Sequence, residues 1–405
     1  MRWTPETMNA AWAIVLSNPK NPPPVSANTS LKRVVISGGG TGGHIHPALA
    51  IADEIIRRHP QCDIQFVGAI GRMEMEKVPL AGYAITGLWI TGIDRNWKSL
   101  RNLLFPFKLI HSLIHANGLI RKWKPQIAIG VGGFASGPLL QRASAKKIPT
   151  LIQEQNSFPG ITNRILSKRV DRICAGFPGL DRWFPADRIL ETGNPLRRRV
   201  AALANTMADE ELNRARVHFG FDENRPLVFV MGGSLGALSM NKAVQHLCEE
   251  HASGLPFNVL WQCGGRYETT CNAWLDSQTT AASAQIRCHG FIDRMDWAYA
   301  AADVIASRAG AMSIAELALV GKPTILVPSP FVAEDHQTRN AESLSERGGA
   351  ILLKDQHVVE QLGDALKNLL EDTEKSQLMS KSIQKSARPD AAARVVDAIE
   401  SLIQL

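Results

Sequence analysis

A histidine that closes a run of glycines is the feature of this chain best suited to chemistry. The run is Val34-Val35-Ile36-Ser37-Gly38-Gly39-Gly40-Thr41-Gly42-Gly43-His44. Imidazole is the side chain best suited to moving protons near neutral pH. Here it follows a turn whose backbone can approach a ligand closely, because the turn carries almost no side chains. The β-branched residues before the turn predict a buried strand, and Ile45-His46-Pro47-Ala48-Leu49-Ala50 after it fits a helix. Backbone N–H groups at such a helix start favour anions, typically phosphates.

Three other readings compete for the loop. Gly38, Gly40 and Gly43 satisfy G-x-G-x-x-G, the turn of a nicotinamide- or flavin-binding domain. That turn wants an acidic residue about 20 positions on, at the end of the second strand. The second strand is expected at 64–67, and Asp63 stands at its wrong end. A nucleoside-triphosphate loop needs Gly-Lys-Ser/Thr, and Gly42-Gly43-His44 excludes it. A structural turn with no ligand is the bland alternative.

The elements that must position this loop repeat as strand, loop and helix. Strands are predicted at 33–37, 64–67, 127–130, 149–153, 172–175 and 189–192, and helices near 46–58, 72–80, 101–122, 137–146 and 160–168. Such alternation implies parallel strands joined by crossover helices. Gly193-Asn194-Pro195 is strong turn chemistry and marks a domain hinge. The pattern then restarts. A charged helix near 206–219 precedes the strand 227–231, and Gly232-Gly233-Ser234-Leu235-Gly236-Ala237 is a second glycine-rich turn. Its helix runs from Met240 to Cys248, and further strands are expected at 258–262, 286–289, 303–306 and 324–327. Two such openings suggest two similar α/β domains, each offering a phosphate-friendly loop to a shared cleft beyond the carboxyl ends of its strands.

The second half has its own polar stations. Ser307 to Glu316 follows a strand, and small residues let a helix begin with Glu316 in its first turns. A carboxylate there can accept from both hydroxyls of a ribose, or merely complement the helix N-terminus. Asp335-His336-Gln337-Thr338-Arg339-Asn340 opens another helix. Its amides can read sugar hydroxyls or serve as ordinary caps.

Bulk properties bound these readings. A chain of 405 residues is too long for one ordinary core. With 45% apolar and 20% charged residues it reads as globular, and no apolar run reaches the roughly 18–20 residues that span a bilayer. The net charge of +7 favours anionic partners, but no nucleic-acid motif is present. Six cysteines without a C-x-x-C pair argue for free thiols in a reducing compartment. Residues 1–30 read as an extension outside the fold, with a weak surface anchor through Trp3 and Trp12 as the sharper alternative.

Together these segments closely resemble the MurG family of bacterial N-acetylglucosaminyltransferases. The resemblance runs from about Lys32 to Ile403. It rests on Gly39 to His44, Gly132 to Pro138, Glu154-Gln155-Asn156 with Gly160 to Asn163, Gly193 to Arg197, Gly232 to Ala237, Phe291-Ile292-Asp293, the 307–316 segment, and His336-Gln337 with Asn340-Ala341, in that order. It implies a GT-B fold, two Rossmann-like domains facing across a cleft. The expected division is an N-terminal domain at 31–195, joined by a returning helix at 389–405, and a UDP-sugar-binding domain at 196–388. It implies N-acetylglucosamine transfer from UDP-N-acetylglucosamine to O4 of the muramyl sugar of undecaprenyl-diphosphate-linked muramyl-pentapeptide, the last cytoplasmic step of peptidoglycan precursor synthesis.

By the same resemblance Thr41, Gly42 and Gly43 face the diphosphate and sugar, and Asn156 meets the N-acetylglucosamine. Arg197 and Ser234 hold the diphosphate, and Ile292 meets uracil through its backbone. Ala311, Met312, Ser313, Ile314, Ala315 and Glu316 line phosphate and ribose, and Gln337 holds sugar hydroxyls. Phe134 stands where some relatives carry Tyr, and His336 where some carry Gln. A base must reach the acceptor hydroxyl. His44 is the first candidate and Glu154 the second, and His44 could instead only position substrate. The chain has no Asp-x-Asp, so no metal and no cofactor are expected, with Arg197, backbone amides and helix starts neutralising the leaving group.

A polyprenyl acceptor requires a membrane surface. Leu103, Leu104, Phe105 and Phe107 form an apolar stretch flanked by Trp97 and Trp123 and ringed by Lys98, Arg101, Lys108, Arg121, Lys122 and Lys124. Such a face suits an anionic leaflet, or else a helix packed into the core. The expectation is a peripheral enzyme on the cytoplasmic face of the bacterial inner membrane, beside the wall-synthesis machinery. The rivals are another GT-B transferase or a UDP-sugar epimerase, which would release UDP without an acceptor, and a non-catalytic nucleotide-sugar-binding protein.

Overall fold

The computed structural model describes residues 30–92, 103–204, 209–221, 225–233, 235–332 and 335–404. The expected extension up to residue 29, and Trp97, Lys98, Arg101 and Ser234, lie outside the described residues. The first half runs β1 (Arg33–Ser37), α1 (Gly42–Arg58), β2 (Asp63–Ala69), α2 (Glu74–Leu80), β3 (Ala84–Leu88), α3 (Phe105–Trp123), β4 (Ile127–Gly130), α4 (Ser136–Ala145), β5 (Thr150–Glu154), α5 (Ile161–Leu166), β6 (Arg172–Ala175) and β7 (Ile189–Glu191). The chain continues through α6 (Arg198–Ala201), α7 (Asp209–His218), β8 (Leu227–Met231), α8 (Leu238–Glu250), β9 (Asn258–Gln262), α9 (Glu268–Asp276), β10 (Ile286–His289), α10 (Met295–Ala301), β11 (Val304–Arg308), α11 (Ala311–Val320) and β12 (Thr324–Val327). It ends with α12 (His336–Ser345), β13 (Ile351–Leu352), α13 (Val358–Glu371), α14 (Thr373–Gln384) and α15 (Ala391–Ile403).

The strands form two sheets, β3-β2-β1-β4-β5-β6-β7 and β10-β9-β8-β11-β12-β13, and every pairing is parallel. In each sheet the order reverses beside the first strand. Val34 pairs with both Ile64 and Ile127, and Val228 with both Val259 and Val304. A crevice opens where crossover connections diverge to opposite faces of a sheet, and each glycine-rich loop leaves the strand at that point.

Parallel sheets need cover on both faces, and strand alternation supplies two apolar surfaces. Val34 and Ile36 pack in one buried cluster and Val35 in another. In the second sheet Val228 and Val230 face one cluster, and Leu227, Phe229 and Met231 the other. The C-terminal helix α15 returns to the first sheet and buries Val395, Val396 and Ile399 with Ile51 and Ile55 of α1. Arg58 at the end of α1 bonds Asp397 at 2.6 Å and Glu400 at 3.1 Å, and His59 lies 2.8 Å from Glu400.

Where the sequence reading places an element its type matches, while α6, α9, α10, α13, α14, β3 and β13 lie outside that reading. The helix after the first glycines begins at Gly42 rather than near 46, so His44 lies in its first turn. Glycine propensity argues against that start. The strand β3 carries Gly87 within its alternation, and β13 has only two residues. Replacing Ile399 by Ala should cost about 2–5 kcal/mol of stability, read as a lowered denaturant midpoint. Asp397→Ala should cost well under half as much, because that carboxylate is largely exposed.

Candidate active site

The strand β1 delivers the chain into Gly38-Gly39-Gly40-Thr41, and α1 starts at once. His44 Nδ1 lies 2.9 Å from the carbonyl oxygen of Gly39 and 3.4 Å from Thr41 Oγ1. A carbonyl only accepts, so Nδ1 carries the hydrogen and donates it. Nε2 therefore keeps its lone pair. The ring is held in place by glycine on the neighbouring loop. A Cβ on Gly132, at φ +97°, would come within 2.6 Å of Cδ2 and 2.7 Å of Nε2. Burial depresses the His44 pKa below its ordinary value of 6.5, opposed chiefly by the charge of Glu154 and the bond to Gly39, and to a smaller extent by Glu74, while His336 adds to the depression. The imidazole is neutral at pH 7.

The second candidate base, Glu154, ends β5 and is buried. One of its oxygens accepts from the Asn156 backbone N–H at 3.0 Å and from Asn156 Nδ2 at 3.2 Å. The other accepts from the Gly160 N–H at 3.1 Å and Asn163 Nδ2 at 2.9 Å. Four donors occupy the acceptor sites of a carboxylate. Glu154 is therefore built to hold the loop and the Asn156 amide. Asn194 of the hinge turn joins the same end of the sheet, accepting from Gln153 Nε2 at 3.0 Å and donating to the Gln155 carbonyl at 2.9 Å.

The second domain brings more helix starts to the cleft. The helices α1, α8, α11 and α12 all begin without a side-chain cap and without an acidic residue in the first turn. Orphan first-turn N–H groups and a positive dipole end remain to be satisfied at such starts, although in α1 the His44 N–H already donates to the Thr41 carbonyl at 3.1 Å. Thr41, Gly42 and Gly43 form the start of α1, and Ala311, Met312, Ser313, Ile314 and Ala315 the first turns of α11. Glu316 follows on the second turn and accepts from the hydroxyl of fully buried Tyr299 at 2.7 Å. Burial raises the Glu316 pKa, against the Tyr299 bond and the charge of Arg197. Ile292 is buried after β10, and Gln337 Oε1 accepts from the Ser329 N–H at 2.9 Å, leaving its Nε2 donors.

The halves meet through apolar contacts, with Phe177 packed against the second domain's core and Arg339 of α12 4.4 Å from the centre of the Phe158 ring, and through hydrogen bonds. Arg197 Nη2 donates to His46 Nδ1 at 2.5 Å. Burial, then Arg197 and Lys77, push His46 down to about 4, so it stands as a neutral acceptor. Asn340 Oδ1 of α12 accepts from the Ser157 N–H at 3.2 Å and from Ser157 Oγ at 2.7 Å.

On α3 the apolar stretch divides. Leu103, Leu104 and Phe107 are exposed, together with Ile110 and Ile114 one and two turns on. Phe105 instead packs against the domain core, because it lies on the opposite side of the helix from Phe107. Trp123 is half-buried. Arg121, Lys122 and Lys124 are exposed beside this face, and Lys108 Nζ sits 5.6 Å from the Trp89 ring. Among the described residues no helix is long and apolar enough to cross a membrane, and no group of three His, Cys, Asp or Glu could hold a metal ion.

Sequence reasoning missed Glu74, Tyr299 and the His46–Arg197 contact. Glu74 carried one usable signal, an acidic side chain soon after β2, but it is buried, with a carboxylate oxygen accepting from Gly40 of the first glycine loop.

Residues 34–175 match the N-terminal domain of glycosyltransferase family 28 and residues 227–395 its C-terminal domain. The UDP-N-acetylglucosamine–N-acetylmuramyl-(pentapeptide) pyrophosphoryl-undecaprenol N-acetylglucosamine transferase of Christiangramia forsetii is 48% identical over 92% of this chain and 98% of its own. The protein of the same name from Cytophaga hutchinsonii is 48% identical over 92% and 97%. A crystal structure of MurG from Acinetobacter baumannii superposes with a TM-score of 0.71 at 27% identity, covering 91% of this chain and 99% of that one. The two parallel sheets, the paired glycine loops and these matches converge: the chain is a glycosyltransferase of GT-B fold and belongs to family 28, in its MurG branch.

Proposed function

We propose that this chain transfers N-acetylglucosamine from UDP-N-acetylglucosamine to O4 of a lipid-diphosphate-linked muramyl-pentapeptide. The observation that carries the reading is a neutral histidine with a free Nε2, set beside several uncapped helix starts that can hold a diphosphate. The relatives' printed activity supplies the substrates.

The donor's diphosphate takes the N–H groups at Thr41, Gly42 and Gly43, those at the start of α11, and the guanidinium of Arg197. Glu316 accepts from the ribose hydroxyls, the Ile292 backbone meets uracil, and Asn156 and Gln337 meet the sugar. The O4 hydroxyl attacks the anomeric carbon. Its proton passes to His44 Nε2, the new C1–O4 bond forms, and the C1–O bond to phosphate breaks with its electron pair leaving on UDP. One displacement on an α-linked donor gives a β product. Fixed N–H dipoles and Arg197 neutralise the departing charge without reorganising. To take the diphosphate, Arg197 leaves His46.

The exposed face of α3 rests on an anionic leaflet. Leu104, Phe107, Ile110 and Ile114 enter the interface and the surrounding cations meet lipid headgroups. On this reading the enzyme works on the cytoplasmic side of the bacterial inner membrane, where a polyprenyl-linked acceptor is available.

The transfer reading is tested by UDP release with and without a short-chain lipid-linked acceptor in excess chelator. Acceptor-dependent release is expected, and release of free sugar without acceptor would instead indicate a hydrolase or epimerase. His44→Ala should lower kcat by about 10²–10⁴-fold. The acid limb of wild-type kcat should lie below the ordinary histidine value of 6.5, since the base works only when deprotonated.

Tyr299→Phe should raise the donor KM about 3–10-fold, for a hydrogen bond worth about 1 kcal/mol, with little change in kcat. Donor affinity should also weaken on acidification at a higher pH than in wild type. The lost donor no longer stabilises ionised Glu316, whose pKa already lies above the usual carboxylate value.

Replacing Leu104 and Phe107 together by Ser should weaken binding to anionic vesicles while leaving turnover of a water-soluble acceptor analogue intact. Unchanged vesicle binding by the folded variant would remove this face from the account.

A further inference from the structure

Glu74 stands outside every role assigned above. It is 1% exposed, and one carboxylate oxygen accepts from the Gly40 N–H at 2.7 Å while the other accepts from the Ala69 N–H at 3.0 Å. The Gly40 N–H and the Gly39 carbonyl are the two ends of one peptide unit, and no cis peptide is present among the described residues. In a trans unit they point in opposite directions. Glu74 therefore holds one end of the peptide whose other end receives the Nδ1–H of His44 at 2.9 Å.

The surroundings make the fit exclusive. A Cβ on Gly39 would run into the Glu74 carboxylate, and one on Gly68 would meet Glu74 Cγ at 2.5 Å. From above, a Cβ on Gly133, at φ +90°, would come within 2.6 Å of the Gly39 oxygen. The glycines of this loop thus serve two masters. They open the backbone to phosphate on one side, and on the other they let a buried carboxylate and a neighbouring loop close on a single peptide.

We propose that Glu74 is a positioning residue for proton transfer, acting on His44 through the Gly39–Gly40 peptide. The carboxylate polarises that peptide, because a hydrogen bond donated to an anion strengthens the one accepted at the far end. The Gly39 oxygen becomes a better acceptor for Nδ1–H. The tautomer with Nε2 free is fixed, and imidazolium is stabilised as Nε2 takes the acceptor proton. No proton moves along the peptide. This role rests on His44 being the base.

Other charged groups face the same imidazole. Glu154 from the end of β5 acts on it directly, and His336 from α12 opposes both carboxylates. Glu154 is occupied by its own loop, so its effect is through space, whereas Glu74 also sets the ring's orientation.

The test compares Glu74→Gln and Glu74→Asp with wild type, using kcat and donor KM across pH and ¹⁵N NMR of His44. Glu74→Gln should lower kcat about ten-fold, as expected for one charge-assisted hydrogen bond, with donor KM within about two-fold. The acid limb of kcat should move to lower pH, because removing an anion destabilises imidazolium. Glu74→Asp, which keeps the charge, should recover part of the loss and restore the limb.

A Glu74→Gln enzyme that loses only stability or donor affinity, with the limb unmoved, would overturn the proposal and leave Glu74 a structural strut. Should Glu74→Gln fail to fold, wild type alone decides. The Nδ1–H tautomer of neutral His44 is expected, and the Nε2–H tautomer would overturn the relay. If wild type shows no acceptor-dependent transfer, or His44→Ala retains full kcat, the functional reading itself fails. An unmoved limb in an active enzyme refutes the relay alone.

Discussion

A histidine can serve as a base at a chosen point only if one ring nitrogen is tied down and the other is left free. In this chain the tie is the hydrogen bond from His44 Nδ1 to the carbonyl of Gly39, and much of the N-terminal domain is arranged around it. The carbonyl can turn back toward the helix because the loop is glycine. The ring can lie against the neighbouring strand's loop because Gly132 has no side chain to meet it. Both loops emerge side by side because β1 and β4 are adjacent at the reversal of strand order, which is where an open parallel sheet presents a crevice.

The second domain repeats the geometry for a different purpose. Its glycine loop leaves β8 beside β11, again at the reversal of strand order, and α11 starts uncapped beyond β11. Oriented N–H groups are a fixed solvent for a diphosphate. Glu316 sits one turn deeper, anchored by the Tyr299 hydroxyl, and in the proposed reading accepts from the ribose hydroxyls. Between the domains, Arg197 rests on His46 and Asn340 on Ser157. Beside these polar contacts, Phe177 packs against the second domain's core and Arg339 lies over the Phe158 ring, so the halves meet through polar and apolar groups together.

Much of this was legible in the sequence because the signals were local. Alternating strand and helix patterns predict parallel sheets, and glycine runs after β-branched strands locate both ligand loops. Motif order pointed to the family. What stayed hidden depended on contacts between distant segments. Glu74 looks like an ordinary surface carboxylate in its short helix until β1 and β2 pair and bring it beneath Gly40. Tyr299 reads as a core aromatic until α10 and α11 meet. The pairing of Arg197 with His46 crosses the two halves of the chain, and no periodicity reports it. Phe105 shared an apolar run with Phe107, but helical rotation turned one to the core and the other to solvent. Glu154 looked like a competing base until the structure showed its oxygens filled by four donors.

The central claim is a single displacement at the anomeric carbon by a muramyl O4 deprotonated at His44. The most direct measurement is the linkage of the isolated disaccharide product, determined by NMR from the anomeric coupling and the through-bond correlation across the glycosidic oxygen. The account predicts one product, N-acetylglucosamine β-linked to O4 of the muramyl residue. An α linkage would contradict single displacement and require an intermediate for which His44 is the wrong group, and free or epimerised sugar would contradict the transfer itself.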